Sequence, residues 1–232
     1  MKNSPSKVPI RWIAFDAVGT LIFANPGVAE TYTRIGNRYG ADLSTEIVRS
    51  RFQNAFAEHQ RTFSTSEEHE LNFWKRIVGE VLGTVENSDD CFHELYQHFS
   101  LPESWRIADH AADVISVLQS EGFGVAIASN FDRRLHTALD GNPILCDIDV
   151  RLISSEIGWR KPSLEFYNAL VERCQCAPEE ILMVGDDFAN DYTGARNAGL
   201  RAVHLGAERS DIDPEFQIAS LADVLPLSRC GL

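Results

Sequence analysis

Three short apolar runs in this chain stop at residues able to do chemistry. Arg11-Trp12-Ile13-Ala14-Phe15 ends at Asp16, Gly124 to Ala128 ends at Ser129-Asn130, and Ile181 to Val184 ends at Gly185-Asp186-Asp187, with Asn190-Asp191 close behind. If the runs are neighbouring strands, Asp16, Asp186, Asp187 and Asp191 meet in one crevice. Crowded carboxylates repel unless a hard cation neutralises them, and an all-oxygen set suits Mg²⁺, which keeps waters beside one or two carboxylates. Lys161, just before Pro162, offers a fixed positive charge. A nucleophilic carboxylate, Mg²⁺, a serine hydroxyl and a lysine together fit phosphoryl transfer, where stabilising charge on the equatorial oxygens dominates.

Positioning those residues takes a layered fold. Each run reads as a buried strand followed by a turn, Ala202 to Leu205 is a fourth, and Arg151-Leu152-Ile153 is a weaker fifth. Amphipathic segments alternate with them, with Asp109 before Ala111 to Gln119 and Pro162-Ser163 before Leu164 to Arg173 as start signals. Strand, helix, strand predicts an α/β fold with a doubly wound parallel sheet and right-handed crossovers. From about Pro26 to Phe99 the rhythm changes to helical spacing, with Ser44, Thr65 or Ser66, and Ser88 as N-caps. The chain is expected to form a core from residues 1–23 and 101–232 and a four-helix cap from residues 24–100. Ligands bind outside the carboxyl ends of parallel strands, so an insert leaving the first strand there would cover the site.

Composition narrows the partners. Of 232 residues, 21 are Lys or Arg and 34 are Asp or Glu, a formal charge of −13 that argues against nucleic acid. No apolar run approaches the ~18 residues that cross a bilayer, and the first ten residues lack the apolar stretch of a secretory leader, so a cytoplasmic protein without a membrane partner is expected. The five cysteines read as reduced thiols, and Cys174-Gln175-Cys176 lacks the second pair a zinc site would need. His93 and His98 lie about 140° apart around a helix, which excludes a shared zinc face. Oligomeric state is left open by the sequence.

Phe15-Asp16-Ala17-Val18-Gly19-Thr20-Leu21 resembles the first motif of the haloacid dehalogenase-like hydrolase superfamily. Ser129-Asn130 is similar to the second motif, Lys161-Pro162 to the third, and Gly185-Asp186-Asp187 through Asp191 to the fourth. The insert resembles the cap found between the first and second motifs in one branch. The resemblance implies a phosphatase for a small phosphorylated metabolite. In that reading Asp16 is the nucleophile that becomes an aspartyl-phosphate, Mg²⁺ is held by Asp16, the Val18 carbonyl and Asp186 with Asp191 nearby, and Asp187 is a further contributor. Ser129 and Lys161 would bind the phosphoryl group, Asn130 would assist, and Thr20 would orient the nucleophile loop.

Val18 departs from the pattern, because phosphatases of this superfamily usually carry a second Asp there as acid and base. Such catalysis is worth ~10²–10⁴-fold. A slow phosphatase, or one using Glu67, Glu68, His59 or His69 instead, follows from the substitution. Alternatives are a phosphonate-cleaving enzyme with Lys75 as imine-forming lysine, a dehalogenase-like enzyme, and a member that binds a phosphate ligand or a protein without turnover. Several residues also have plainer readings. Asp132 suits a helix N-cap, Arg160 and Lys75-Arg76 a solvated surface, and Asp187 and Asp191 the first turn of a helix from Tyr192 to Ala198. Phe52, Phe56, Phe63, Phe73 and Trp74 suit packing within the insert, with one or two reaching a substrate cavity.

Overall fold

The computed structural model describes residues 8–59 and 62–230, with no account of the Cys230 side chain. Its centre is a six-stranded parallel sheet in the order β5-β4-β1-β6-β7-β8, built from Trp12–Phe15 (β1), Gly124–Ser129 (β4), Val150–Ile153 (β5), Ile181–Gly185 (β6), Arg201–Leu205 (β7) and Gln217–Ile218 (β8). All five expected strands are present. The two-residue β8 is too short to leave a periodic signal.

Side chains alternate across this sheet, so the two faces carry different cores. Ile13, Phe15, Ile127 and Val184 pack on one face against Val114, Ile115 and Leu118 of α5 (Ala111–Ser120), with Leu135 of α6 (Arg134–Asp140) and Val224 of α10 (Val224–Cys230). On the other face the small side chains Ala14, Ala126 and Ala128 leave room for Phe166, Tyr167 and Leu170 of α8 (Leu164–Cys174). Ser163 caps α8 as expected, its hydroxyl accepting from the Phe166 amide at 3.3 Å. Asp109 does not cap α5. His110, in the left-handed region at φ 64°, occupies that position with no side-chain bond.

Four helices emerge after β1: α1 (Val28–Arg38), α2 (Thr45–His59), α3 (Glu67–Leu82) and α4 (Ser88–His98). They bury their own apolar cluster, including Tyr32, Ile35, Val48, Ile77, Val81 and Leu95. Ser66 caps α3 by accepting from the His69 amide at 3.2 Å. The Ser88 position differs from expectation, because Asn87 in the left-handed conformation precedes α4 and Ser88 is its first helical residue. A two-stranded antiparallel ribbon of β2 (Ile22–Ala24) and β3 (Trp105–Ile107) carries the chain out to these helices and back. The sequence did not reveal it, since three-residue strands have no periodicity to read. A short helix, α7 (Ser154–Ile157), follows β5 directly.

The insert touches the sheet-bearing part near Lys161. Thr65 donates its amide to the Gly158 carbonyl (2.9 Å), and Arg160 donates to the Phe63 carbonyl (2.7 Å). Arg160 is not a free surface residue. Its guanidinium Nε lies 3.0 Å from Glu70 Oε1 of α3, and Nη2 also meets that oxygen, while Glu70 is only 2% exposed. Among the described residues no helix is long and apolar enough to cross a membrane.

Candidate active site

Parallel register brings the chemistry together. Phe15 pairs with Ile127 on β4 and Val184 on β6, so Asp16 emerges level with Ala128 and Gly185, one residue before Ser129 and Asp186. The Asp16 amide still donates to the Val184 carbonyl (2.9 Å), which fixes the residue at the strand's end. Beyond it the chain folds back tightly, with Leu21 and Ile22 donating to the Ala17 carbonyl at 2.8 and 2.9 Å. Gly19, at φ 101°, lets that turn lie against Asp186, since a β-carbon there would sit 2.5 Å from its Oδ2. Gly185 is required for a similar reason, because a β-carbon would overlap the Asp191 carboxylate.

Lys161 is the hub. It is 3% exposed, and its Nζ donates to Asp16 Oδ1 (2.7 Å), Asp191 Oδ1 (2.6 Å) and the Ala128 carbonyl (2.7 Å). Burial alone would lower its pKa, but Asp16 and Asp191 more than offset this and hold the ammonium above the ordinary lysine range. Burial raises the pKa of Asp16, opposed by Lys161, and pushes Asp191 up to about 7. Asp186 is raised as well, by burial and then by the charge of Asp191. Three carboxylates against one ammonium leave the site electrically short of positive charge.

A divalent cation fits that shortage. Asp16, Asp186 and Asp191 each present an oxygen within 4.8 Å of the others, and hard oxygen donors of this kind suit Mg²⁺. Asp186 is held for the role by Thr20, whose buried hydroxyl donates to its Oδ1 at 3.1 Å. Thr20 is thus a positioning residue for Asp186 and does not line the cavity described below. Asn130 does line it, but both ends of its carboxamide clamp the Lys161 backbone: Nδ2 donates to the carbonyl (3.0 Å) and Oδ1 accepts from the amide (2.8 Å). Asn130 therefore sets the position of Lys161. The Ser129 hydroxyl, also in the cavity wall, has no hydrogen-bond partner among the described residues and is left for a ligand.

Asp187 and Asp191 part company. The segment after β6 starts earlier than expected, as a wide π-helical turn over Phe188–Gly194 that passes into an α-helical turn (α9, Ala195–Asn197). Asp187 is its N-cap, accepting from the amides of Ala189 and Asn190 at 2.9 Å, whereas Asp191 is buried and faces Lys161. Π-turns recur at functional sites because they redirect one residue out of helical phase.

Above these groups lies a cavity of about 320 Å³ whose wall includes Asp16, Val18, Ser129, Lys161, Asp186 and Asp191. Val18 is 38% exposed in that wall, which it shares with Asp16. Among the described lining residues none is Glu67, Glu68, His59 or His69. Glu67 accepts from the Arg133 amide (3.0 Å) and the Ser155 hydroxyl, and His59 pairs with Glu80 (2.7 Å), so these side chains are engaged elsewhere. Lys75 is half exposed and pairs with Asp89 at 3.1 Å outside the cavity, which removes the residue that an imine mechanism would need.

The haloacid dehalogenase-like hydrolase family model matches residues 10–199. The chain belongs to this family. It is a hydrolase of the α/β type, and the match spans the insert, the residues of the site and four of the six strands, β7 and β8 lying beyond it. A Danio rerio relative, haloacid dehalogenase-like hydrolase domain-containing protein 3, is 26% identical over 95% of this chain and 96% of its own length. The magnesium-bound putative HAD-hydrolase YfnB from Bacillus subtilis superposes with a TM-score of 0.75 at 19% identity, covering 96% of this chain and all of that one. L-2-haloacid dehalogenase from Xanthobacter autotrophicus gives 0.72 at 18% identity, covering 96% and 100%. At these identities the two structures share the fold, and the chemistry of this family member must be argued from its own site.

Arg134 is a residue that the sequence did not point to. Its guanidinium lies 3.6 Å from the centre of the Tyr96 ring, donates to the Tyr96 carbonyl (3.1 Å) and grips both oxygens of Asp132 at 2.8 and 2.7 Å. Asp132 also accepts from the Arg134 amide at 3.1 Å, but Arg133 precedes α6 without a side-chain cap, so the fully buried Asp132 serves as the ion-pair partner of Arg134 and not as the expected N-cap. No pattern in the sequence joins Arg134 to Tyr96, which is 38 positions away.

Proposed function

We propose that this hydrolase is a Mg²⁺-dependent phosphatase acting on a small phosphate monoester through an aspartyl-phosphate on Asp16. The observation that carries the reading is the convergence of Asp16, Asp186 and Asp191 within 4.8 Å, with Lys161 bonded to two of them, in one cavity wall with Ser129. Asp16, Asp186 and Asp191 would hold Mg²⁺. When bound, the ion supplies positive charge to the phosphoryl oxygens and to the crowded carboxylates.

Lys161 opposes the burial that raises the Asp16 pKa and orients its carboxylate, and Ser129 donates to a phosphoryl oxygen. An Asp16 oxygen forms the bond to phosphorus as the ester oxygen leaves with the electrons of the broken bond and takes a proton from water. Water then attacks phosphorus and releases inorganic phosphate with the free Asp16 carboxylate. Val18 has no group to move either proton, so both steps rely on solvent and turnover is slow with poor leaving groups.

The acidic set argues against the dehalogenase-like alternative, which needs no metal. It argues equally against a member that only binds, since buried carboxylates without a catalytic cation only cost stability. A cytoplasmic setting accords with Cys91, Cys146, Cys174 and Cys176 standing as free thiols. The test is phosphate release from a panel of monoesters with and without Mg²⁺. Metal-dependent release that disappears in Asp16→Asn is expected, and release unaffected by that substitution would remove Asp16 from the mechanism.

A further inference from the structure

The cavity over Asp16 has two kinds of wall. At the sheet end stand the acids, Lys161 and Ser129. The rest is built from the insert and the β4–α6 segment, with Tyr32, Phe52, Phe56, Trp74, Phe99 and Phe131 among its lining. These aromatic rings pack against one another, Tyr32 edge-on to Phe52 at 5.4 Å and Phe52 stacked on Phe56 at 5.7 Å between centroids. Phe52, Phe56 and Trp74 are only partly buried, so they bound a space without filling it. A space of about 320 Å³ far exceeds the sub-water gaps of a packed interior. Water against such apolar walls is readily displaced by an apolar group.

Charge sharpens the assignment. Among the described lining residues away from the acids, the cation is Arg134, whose charge is already paired with the buried Asp132 carboxylate and whose Nη1 donates to the Tyr96 carbonyl. A second anionic group on the substrate would lose its hydration there without gaining a free counter-charge. The hydroxyls of Tyr32 and Tyr96, both in the lining, have no protein hydrogen-bond partner among the described residues and can meet one neutral polar atom.

Building on the phosphatase reading, we infer that the group esterified to phosphate is an uncharged, mainly apolar alcohol or phenol seated among Phe52, Phe56 and Trp74. Substrates carrying a carboxylate or second phosphate are excluded by the same wall. Non-hydrolysable phosphonates separate this inference from the reading beneath it, because they report binding without turnover. Calorimetric titrations with Mg²⁺ present would compare inorganic phosphate, methylphosphonate, benzylphosphonate and phosphonoacetate.

Benzylphosphonate should bind at least about tenfold tighter than methylphosphonate, and phosphonoacetate no tighter than methylphosphonate. In Phe56→Ala the benzyl-to-methyl ratio should fall several-fold, and Phe56→Lys should reverse the preference toward phosphonoacetate. Equal affinity for benzyl- and methylphosphonate while phosphate binds would overturn the apolar substrate and leave the phosphatase reading intact. Phosphonoacetate as the tightest ligand of the wild type would overturn it too. Failure of phosphate and every phosphonate to bind would bring down the phosphatase reading and this inference together.

Discussion

At the scale of single residues, the proposed aspartyl-phosphate route makes the rate depend on Asp16 and on its neighbour two residues on. Asp16 is positioned by the end of β1 and by Lys161 at 2.7 Å, but Val18 brings only a hydrophobic side chain to the cavity wall. An acid and base at that position is worth ~10²–10⁴-fold, so Val18→Asp should raise turnover by about a hundredfold. Acid-quenched mass spectrometry should find the wild type phosphorylated at Asp16 by esters with good leaving groups, with the adduct short-lived in Val18→Asp. An adduct of equal lifetime in both proteins would show that Val18 does not limit hydrolysis. Asn130 acts at one remove, through its two bonds to the Lys161 backbone. Asn130→Ala should therefore weaken phosphate binding by displacing the lysine, whereas Asn130→Asp, which keeps the acceptor, should retain part of it.

Elements matter through the contact between α3 and the segment before Lys161. Glu70 is buried with Arg160 and with the Thr65 hydroxyl, which donates to its Oε1 at 2.6 Å. Removing one partner of a buried pair leaves the other charge stranded, at a cost of ~3–5 kcal/mol. Glu70→Ala is expected to lower the unfolding free energy by about 3 kcal/mol in a urea titration. The same pair anchors the insert beside the third motif residue, so the loss should also raise KM more than it lowers kcat. A variant with unchanged stability would mean that the Arg160 charge finds water once Glu70 is gone. The ribbon of β2 and β3 gives the insert its two-stranded stalk, and its Trp105 belongs to the cavity wall.

For the whole molecule, the crowded acids couple stability to pH and to metal. Asp191 titrates near 7 in the folded protein against an ordinary carboxylate value of 3.8, and Asp16 shifts in the same direction. The folded state therefore holds protons that the unfolded chain has released. Stability from these groups is complete below the unfolded value and is lost as pH rises toward about 7. Metal-free protein should show a falling Tm across that window, and Mg²⁺ should raise Tm more at pH 7.5 than at pH 5. Asp191→Asn should flatten the metal-free profile. A Tm that rises with pH in the wild type, with no response to Mg²⁺, would count against the shared acidic site.

How far the sequence reaches depends on whether the signal is local. Apolar runs that end in Asp16, Ser129 and Gly185-Asp186 announce buried parallel strands, because such strands are covered on both faces and need no polar alternation. Given those strands, a parallel sheet must collect their carboxyl ends, so the gathering of Asp16, Ser129, Asp186 and Asp191 followed from order along the chain. The break into helical spacing after the first strand was equally local. Tertiary structure alone decided which side chains stay free once packed. Arg160 turned inward because Glu70, 90 positions earlier, lies opposite it, and Lys75 turned outward to Asp89. Asn130 and Thr20 spend their hydrogen bonds on Lys161 and Asp186, and Arg134 is neutralised by Asp132 before any ligand arrives. The aromatic chamber likewise exists only when four helices and two loops converge, since burial and pairing over such distances leave no periodicity in the chain.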